Sequence, residues 1–289
     1  MASSETGQIL GLDHATLVVE ALDGAVATYE TLFAHPCDRR GSAEGLDWAR
    51  FALANTALVL VAPRGAPGPL AAHVAPVLGQ QVPGQRVPDQ RVPDQRPAEA
   101  RAALGAVGFA VADPATTARL LERRGLPAAG PAFAWLDGPA TPLLPAAARG
   151  LHLLLVPPAP PAGAAAGIRL DHLVIRSADP ERTVALLAGR LGLELRLDRS
   201  NPAWGSRLLF FRCGDLVVEV SHDLAAGLGE APDSLWGLTW GVPDVAGCHA
   251  RLESAGMPVS PLRVGRKPGT RLFTIREHAA GIPTAFIGT

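Results

Sequence analysis

The stretch Leu-Asp-His-Leu-Val-Ile-Arg at residues 170–176 decides how the rest of the chain is interpreted. A close copy, Leu-Asp-His-Ala-Thr-Leu-Val-Val, stands at residues 12–19 in the other half of the chain. Each copy reads as a short strand followed by an Asp-containing turn and an apolar-periodic helix. A repeat longer than a solenoid unit indicates two copies of one domain. A feature that only one copy keeps, such as a polar side chain, becomes a candidate for function.

The same alternation of strands and helices continues outward from both copies. Apolar periodicity and capping residues predict four helices, at residues 23–33, 114–124, 180–191 and 245–255. Strand-like runs precede and follow each helix, at 10–19, 48–53, 57–62, 105–112, 150–156, 169–177, 206–212, 215–221, 236–242, 271–276 and 282–288. Each half of the chain therefore contains two strand–helix–strands units.

Composition excludes several classes of protein. Hydrophobic residues make up 48% and charged residues 18% of the 289 residues, and the net charge is −1. A globular protein is expected, without the basic surplus that nucleic acid or an anionic membrane would attract. No apolar run reaches the about 20 residues of a membrane span, and the first residues do not resemble a signal peptide. Three cysteines without a CxxC pair fit a reducing compartment. We expect a soluble, cytoplasmic protein.

Two Pro-rich segments interrupt the pattern. Residues 64–100 contain Gln-Arg-Val-Pro-Asp twice in tandem, at 85–89 and 90–94, and are predicted to form an exposed insertion. Residues 157–167 consist only of Pro, Ala and Gly and are predicted to be a linker. The predicted domains are therefore 9–156 and 168–289. Binding of a partner through the insertion is one possible function.

The four units resemble those of the vicinal oxygen chelate superfamily, which contains glyoxalases, bleomycin-resistance proteins and extradiol dioxygenases. The resemblance rests on Asp-His opening a strand, Asp-Pro or Asp-Val before the helices, and Gly-x-Pro after them. It implies an α+β fold in which four βαβββ units pair into two open-barrel, cup-shaped domains. It implies no particular reaction, because the superfamily includes lyases, isomerases, dioxygenases and non-catalytic drug binders.

The resemblance also implies where metal ligands would lie. In the second domain it assigns His172 to the first strand and Glu219 to the last strand of the third unit. The two matching positions in the fourth unit are Gly237 and Ala285, so half of a four-ligand site is missing. In the first domain His14 is kept, while Leu60, Gly108 and Leu154 stand at the other positions. The first domain is therefore predicted to be structural or to form a pocket wall.

His172 and Glu219 are the candidate catalytic residues and the candidate ligands of a divalent metal. Imidazole and carboxylate suit Zn²⁺, Fe²⁺, Mn²⁺, Ni²⁺ or Co²⁺. Alternatively, Glu219 faces solvent or a polar cup, and Asp-His is only a turn of the fold; His14, which lacks a matching Glu, favours this reading. Without a metal, the pair could still act as acid and base.

Four further residues are candidates for substrate binding. Arg266, Lys267 and Arg271 form the densest basic cluster and could hold a carboxylate or phosphate, although a solvated hairpin is an equal alternative. Trp240 could line an apolar pocket, although Trp is more often a core residue. No P-loop or Rossmann fingerprint is present, so no nucleotide cofactor is expected.

Two hypotheses of different class follow. The first is a divalent-metal-assisted lyase, isomerase or dioxygenase that acts on a small oxygenated substrate in the second cup. The alternative is a non-catalytic small-molecule binder, such as a drug-sequestering, bleomycin-resistance-like protein. Neither hypothesis requires a nucleic acid or a membrane, and two complete pairs of units permit a monomer or a homodimer.

Overall fold

The structure is a computed structural model, and it describes residues 7–64, 68, 70–71, 102–136, 138–158, 167–276 and 281–289. Most of the predicted insertion and most of the predicted linker lie outside the described residues. His73 and His278 also lie outside them.

The predicted architecture of four βαβββ units is confirmed. The first unit contains β1 Ile9–Val19, α1 Leu22–Phe33, β2 Arg39–Ala43, β3 Leu46–Ala52 and β4 Ala57–Pro63. The second contains β5 Ala102–Val111, α2 Pro114–Arg123, β6 Phe133–Trp135, β7 Gly138–Pro142 and β8 Leu153–Val156.

The second half of the chain repeats this order. The third unit contains β9 Arg169–Arg176, α3, β10 Glu194–Asn201, β11 Ser206–Cys213 and β12 Leu216–Asp223. Helix α3 begins as the α-helical segment Pro180–Val184 and continues as the π-helical segment Ala185–Arg190. The fourth unit contains β13 Ser234–Gly241, α4 Val245–Ser254, β14 Arg263–Val264, β15 Arg271–Ile275 and β16 Thr284–Gly288.

Each half forms one eight-stranded mixed sheet. The order is β2-β3-β4-β1-β5-β8-β7-β6 in the N-terminal half and β10-β11-β12-β9-β13-β16-β15-β14 in the C-terminal half. The first strands of paired units lie antiparallel at the centre, as β9 and β13 do, and each has the last strand of its own unit parallel beside it. Each helix packs on the sheet and leads the chain back to it, so the strands after the helix join the same sheet as the strand before it.

Of the four helices that belong to the βαβββ units, three begin at an aspartate that caps the first turn. The side chains of Asp113, Asp179 and Asp244 each accept a hydrogen bond from the backbone N–H three residues later. Carboxylates stabilise this end because they satisfy free N–H groups and the positive end of the helix dipole. Proline follows Asp113 and Asp179, where its missing N–H costs nothing.

The main hydrophobic core lies between the two sheets. Buried faces of all four helices pack together with one face of each sheet, and the cluster runs from Leu12 and Phe33 in the first half to Trp240 and Phe286 in the second. Arg251 of α4 donates hydrogen bonds to the last carbonyls of α1, at Thr31 and Leu32. Asn55 donates to the carbonyl of Leu170 at 3.0 Å and accepts from its N–H at 2.9 Å. The two halves therefore share one core.

The other face of each sheet points away from the helices, and we name these faces the N-terminal cup and the C-terminal cup. The N-terminal cup is lined by its own apolar cluster, which includes Val18, Trp48, Val59 and Trp135. The C-terminal cup differs, because the corresponding strand positions carry polar and charged side chains, as the next section describes.

Candidate functional site

His172 and Glu219 lie side by side in the C-terminal cup. His172 alternates with the core residue Leu173 along β9, and Glu219 stands between Val218 and Val220, which are buried in the core. Both side chains therefore point to the cup. His172 Nε2 lies 3.8 Å from Oε2 of Glu219, and the two side chains are 23% and 17% exposed. The structure thus brings together the two residues that sequence reasoning paired.

Asp171 fixes the orientation of the His172 ring. Its Oδ2 lies 2.9 Å from His172 Nδ1, and this hydrogen bond is the largest cause that holds the pKa of Asp171 below its usual value. An ionised carboxylate can only accept, so Nδ1 carries the proton and donates it. In the neutral ring, Nε2 then presents a lone pair to the cup, which is the tautomer that a metal ligand or a general base requires.

Glu219 sits in a poorly solvated position. Burial raises the pKa of its carboxyl above the ordinary value, and the charges of His172 and Arg266 oppose that shift. The Nε2 lone pair and an ionised Glu219 are both acceptors, so they repel each other across the 3.8 Å that separates them. A cation between or beside them, either a proton or a metal ion, relieves this repulsion.

Two of the predicted basic residues lie near the mouth of this site. Arg266 and Lys267 belong to the loop between β14 and β15 and are exposed. The charge of Arg266 lowers the pKa of Glu219, and that of Lys267 lowers the pKa of Asp171. Arg266 also stacks on Trp204, with Cζ 3.9 Å from the ring centroid. Because Trp204 follows the edge strand β10, this contact joins the two edges of the sheet across the cup.

The other two substrate-binding candidates are not brought to the site. Trp240 is fully buried in the core between the halves, where its ring meets Phe33 edge-on at 5.0 Å. Arg271 shares a strand face with Phe273, a core residue, and therefore points away from the cup. The assignment of Trp240 and Arg271 to a substrate pocket is accordingly corrected. The cup-facing tryptophan of β13 is Trp236, which contacts Arg176 and lies at an irregularity in the pairing with β9, between Leu235 and Gly237, that interrupts the alternation of faces.

The fourth unit supplies no metal-ligating side chain at the matching positions. Gly237 pairs with Val174, and Ala285 lies beside Thr239, the cross-strand neighbour of His172. A Cβ added at Gly237 would lie 2.7 Å from the carbonyl oxygen of Pro283, so the backbone leaves no room for a side chain there. Within the described ranges, no group of three or more His, Cys, Asp or Glu residues could hold a metal ion together.

The corresponding histidine of the N-terminal cup is not accessible to a ligand. His14 is fully buried, and the indole N–H of Trp135 donates to its Nε2 at 3.1 Å, while Nδ1 lies 3.0 Å from Asp13 Oδ2. Both ring nitrogens are satisfied by the protein, so no lone pair faces a ligand. The cup retains a cavity of about 470 Å³, whose lining includes Trp48, Phe133 and Trp135, but no imidazole–carboxylate pair faces it.

Strand register corrects two positions assigned in the first half from sequence. Glu219 lies opposite Val174, two residues after His172, whereas the residue opposite Thr16, two after His14, is Val59. Leu60, the residue predicted to match Glu219, belongs to the core between the sheets. By the same register, Ala106 rather than Gly108 corresponds to Gly237. Val59 and Ala106 are both apolar, so the first cup still lacks the second ligand.

The Trp135–His14 contact leads to a stability prediction. In Trp135→Phe, His14 Nε2 should lose its donor and remain buried without a partner, which costs about 1–3 kcal/mol. Trp48→Phe is the matched control, because Trp48 also belongs to the apolar cluster of this cup but does not contact the imidazole nitrogen. Chemical denaturation should show the larger loss of stability for Trp135→Phe. Equal losses would contradict the role of this hydrogen bond.

Comparison with known proteins agrees with this fold. Residues 169–283 match the family model of the Glyoxalase/Bleomycin resistance protein/Dioxygenase superfamily. This part of the chain belongs to that superfamily. The resemblance stated from the sequence is thereby confirmed, and the sheet topology of the first half is that of a second, paired copy. No curated protein matches the sequence.

Several solved structures share the fold over nearly the whole chain. A mutant of 4-hydroxymandelate synthase from Streptomyces coelicolor is 12% identical, with a TM-score of 0.65 and coverage of 97% of this chain and 93% of that chain. A Mn(II)-bound glyoxalase from Novosphingobium aromaticivorans is 12% identical, with a TM-score of 0.63 and coverage of 97% and 82%. A halotolerant catechol dioxygenase is 11% identical, with a TM-score of 0.63 and coverage of 98% and 88%. At these identities the likeness establishes the fold alone.

Among the described residues, no helix has both the length and the apolar character needed to cross a membrane.

Proposed function

We propose that the C-terminal cup is the active site of a metal-assisted enzyme that acts on a small oxygenated molecule. The observation that carries this proposal is the His172–Glu219 pair, whose two acceptor atoms face each other across 3.8 Å in a partly open cup. The N-terminal half serves as an internal control, because its histidine is capped by Trp135 and the position matching Glu219 is Val59.

The donor set fits a divalent cation. His172 would bind it through Nε2 and Glu219 through its carboxylate, while the carboxylate of Asp171 orients the imidazole through Nδ1, as such partners commonly do for metal-bound histidines. With only two protein ligands, other coordination positions would be left to water and substrate. When bound, such a metal would act as a Lewis acid that polarises substrate oxygens.

The chain's own groups support this chemistry. Low solvation of Glu219 strengthens its interaction with any cation in the cup. Arg266 and Lys267 give the mouth a positive potential that attracts anionic or oxygen-rich molecules. The related folds of a Mn(II)-bound glyoxalase and a catechol dioxygenase agree with a lyase, isomerase or dioxygenase, without deciding among them. We also propose a cytoplasmic location, because Cys37, Cys213 and Cys248 are all free.

A second candidate function is non-catalytic binding of a small molecule. It is favoured by the incomplete donor set, since in the described part of the chain no third His, Cys, Asp or Glu joins His172 and Glu219. In that case a proton would take the place of the metal between the two groups. A binder of this kind would keep its ligand affinity in the presence of a chelator, whereas a metal-dependent enzyme would not.

Metal content distinguishes the two functions. Elemental mass spectrometry on untagged protein, reconstituted with Zn²⁺, Fe²⁺, Mn²⁺, Ni²⁺ or Co²⁺, should find close to one metal ion per chain in wild type and little in His172→Ala. His35→Ala is the matched control, because His35 lies on a turn after α1 and the hydrogen bond of its imidazole is to the carbonyl of Pro36, outside the cup. Absence of metal from wild type after reconstitution would eliminate the metal-assisted reaction and favour the binder.

A further inference from the structure

Arg176 lies at the far end of the same cup, on the strand that carries His172. Along β9 it alternates with Ile175 of the core, and its cross-strand neighbours are Ser221 on β12 and Ser234 on β13. Its Cζ lies 4.4 Å from the ring centroid of Trp236, so the guanidinium rests on the indole face. This stacking fixes the plane of the guanidinium and leaves its N–H edge available to a ligand.

The guanidinium has no hydrogen-bond or salt-bridge partner among the described residues. Its Nε is buried and makes no hydrogen bond. Burial lowers the pKa of Arg176, and Asp223, which partly offsets that effect, forms no ion pair with it. A buried donor on a charged group without an acceptor is costly, and such groups in native proteins call for an explanation. A bound anion would satisfy both the donor and the charge.

The internal repeat indicates that the fold does not require this arginine. Val18 stands four residues after His14, as Arg176 stands four residues after His172, and Val18 is fully buried in the apolar cluster of the N-terminal cup. The neighbour of Val18 on β4 is Val61, whereas that of Arg176 on β12 is Ser221. At this position of the sheet, the N-terminal cup therefore carries an apolar pair, whereas the C-terminal cup carries a cation and a hydroxyl.

We propose that Arg176, held by Trp236, is the subsite for the carboxylate of an organic acid whose other oxygens reach His172 and Glu219. The inference rests on the proposed function of the cup and names its substrate class. Four residues of strand separate the Cα atoms of Arg176 and His172 by about 13 Å. The carboxylate and the reacting oxygens must therefore be separated by a spacer, and Val174 and Trp236 give that part of the cup an apolar wall.

A carboxylate fits this subsite better than a phosphate. The planar N–H edge of a guanidinium matches the two oxygens of a carboxylate. One unpaired cation balances a single negative charge, whereas a phosphate dianion would also face the carboxylates of Asp223 and Glu219 on the same strand face. The exposed residues Arg266 and Lys267 exert their charge on Glu219 and Asp171, at the His172 end of the cup.

The test compares an acid with its neutral isostere. Benzoate and benzamide are titrated against chelator-treated protein by saturation-transfer NMR, which detects weak binding. Wild type should prefer benzoate, Arg176→Met should raise the Kd of benzoate about tenfold, and the Kd of benzamide should not change. Arg176→Lys should recover part of the affinity. Arg123→Met, an exposed arginine on α2, is the matched control and should bind as wild type does.

Three results would overturn the proposal: no preference of wild type for benzoate over benzamide, an unchanged benzoate Kd in Arg176→Met, or stronger competition by inorganic phosphate than by acetate. Thermal unfolding of each variant verifies that the cup is intact. Because the titrations use chelator-treated protein, the result is independent of the metal. A benzoate preference that depends on Arg176, found in a protein that binds no metal, would contradict the metal-assisted reaction while supporting the subsite.

Discussion

Glu219→Gln is expected to lower metal affinity by at least about a hundredfold while leaving the fold as stable as wild type or more stable. Gln has nearly the shape of Glu, so packing against Phe210 across the strand pair is retained. What changes is the charge, because the oxygen of a neutral amide is a weaker ligand for a divalent cation than a carboxylate, and an amide does not titrate opposite His172. Metal binding is measured by competition with a chelating dye, and stability by calorimetry.

The pH dependence of stability gives this prediction a definite sign. Burial raises the folded-state pKa of Glu219 above its ordinary value of 4.5, so the ionised carboxylate is disfavoured in the folded protein. The wild type therefore loses stability as the pH rises from the unfolded-state pKa through the folded-state pKa, and the loss is complete above the latter. The amide in Glu219→Gln does not titrate, so this variant should not lose stability over that pH range.

The experiment uses chelator-treated protein at about pH 4 and about pH 7.5. The variant and the wild type should unfold at similar temperatures at the lower pH, and the variant should be the more stable at the higher pH. Glu20→Gln, at an exposed position, should show no such difference between the two pH values. A wild type that is more stable than Glu219→Gln at neutral pH would show that the carboxylate is already paired and that no cation is needed.

Most of the fold could be predicted from sequence, but β2, β6, β7, β10 and β14 were not; four of them are edge strands, and β7 lies next to the edge strand β6. The central strands are rich in Val, Leu and Ile and stand out from their surroundings. Strands β2 and β10 were missed because they are polar edge strands, Arg-Arg-Gly-Ser-Ala and Glu-Leu-Arg-Leu-Asp-Arg-Ser-Asn. Such strands are paired on one side only, and charged side chains protect the free side from association. Their formation depends on β3 and β11 as templates, which local periodicity does not reveal.

The site could be predicted only in part. The Asp-His repeat identified His172. The isolated carboxylate in Leu-Val-Val-Glu-Val identified Glu219, because burial of an unpaired charge in an apolar strand is energetically unfavourable. Arg176 was missed although it ends the stretch that organises the chain. The signal was available in the repeat, where Val18 stands at the same place. Its stacking on Trp236 and its unpaired Nε depend on cross-strand register, which the sequence does not display.

The two cups show how one fold can serve as scaffold and as site. In the first, Val59 and Val61 bury against Trp48 and Trp135, and the cup becomes a second small core. In the second, the matching positions are Glu219 and Ser221, and the same strands keep a polar, partly open face. The difference lies in a few cup-facing side chains, because the core-facing residues of both halves must still pack against each other. Function can therefore change on one face without loss of the fold.

Trp240→Ala is expected to destabilise the protein by about 3–5 kcal/mol without altering ligand binding in the cup. Trp240 is fully buried in the core that joins the halves and packs edge-on against Phe33 of α1. Removing the indole leaves a cavity that the two sheets cannot close, since both are held by the contacts of Arg251 and Asn55. The free energy of unfolding is measured by urea denaturation of variant and wild type.

Two further tryptophan variants separate the effect of core packing on stability from the effect of ligand contact on binding. Trp240→Phe should lower the free energy of unfolding much less than Trp240→Ala does. The indole N–H of Trp240 is buried without a hydrogen-bond partner, so its loss removes an unfavourable group. Trp236 lies four residues earlier on the same strand but faces the cup. Trp236→Ala should lower the free energy of unfolding by about 1 kcal/mol or less. It should also weaken benzoate binding, because the guanidinium of Arg176 no longer stacks on an indole. If instead Trp240→Ala weakened benzoate binding and left stability unchanged, Trp240 would be a pocket residue, and the assignment of β13 faces given above would be reversed.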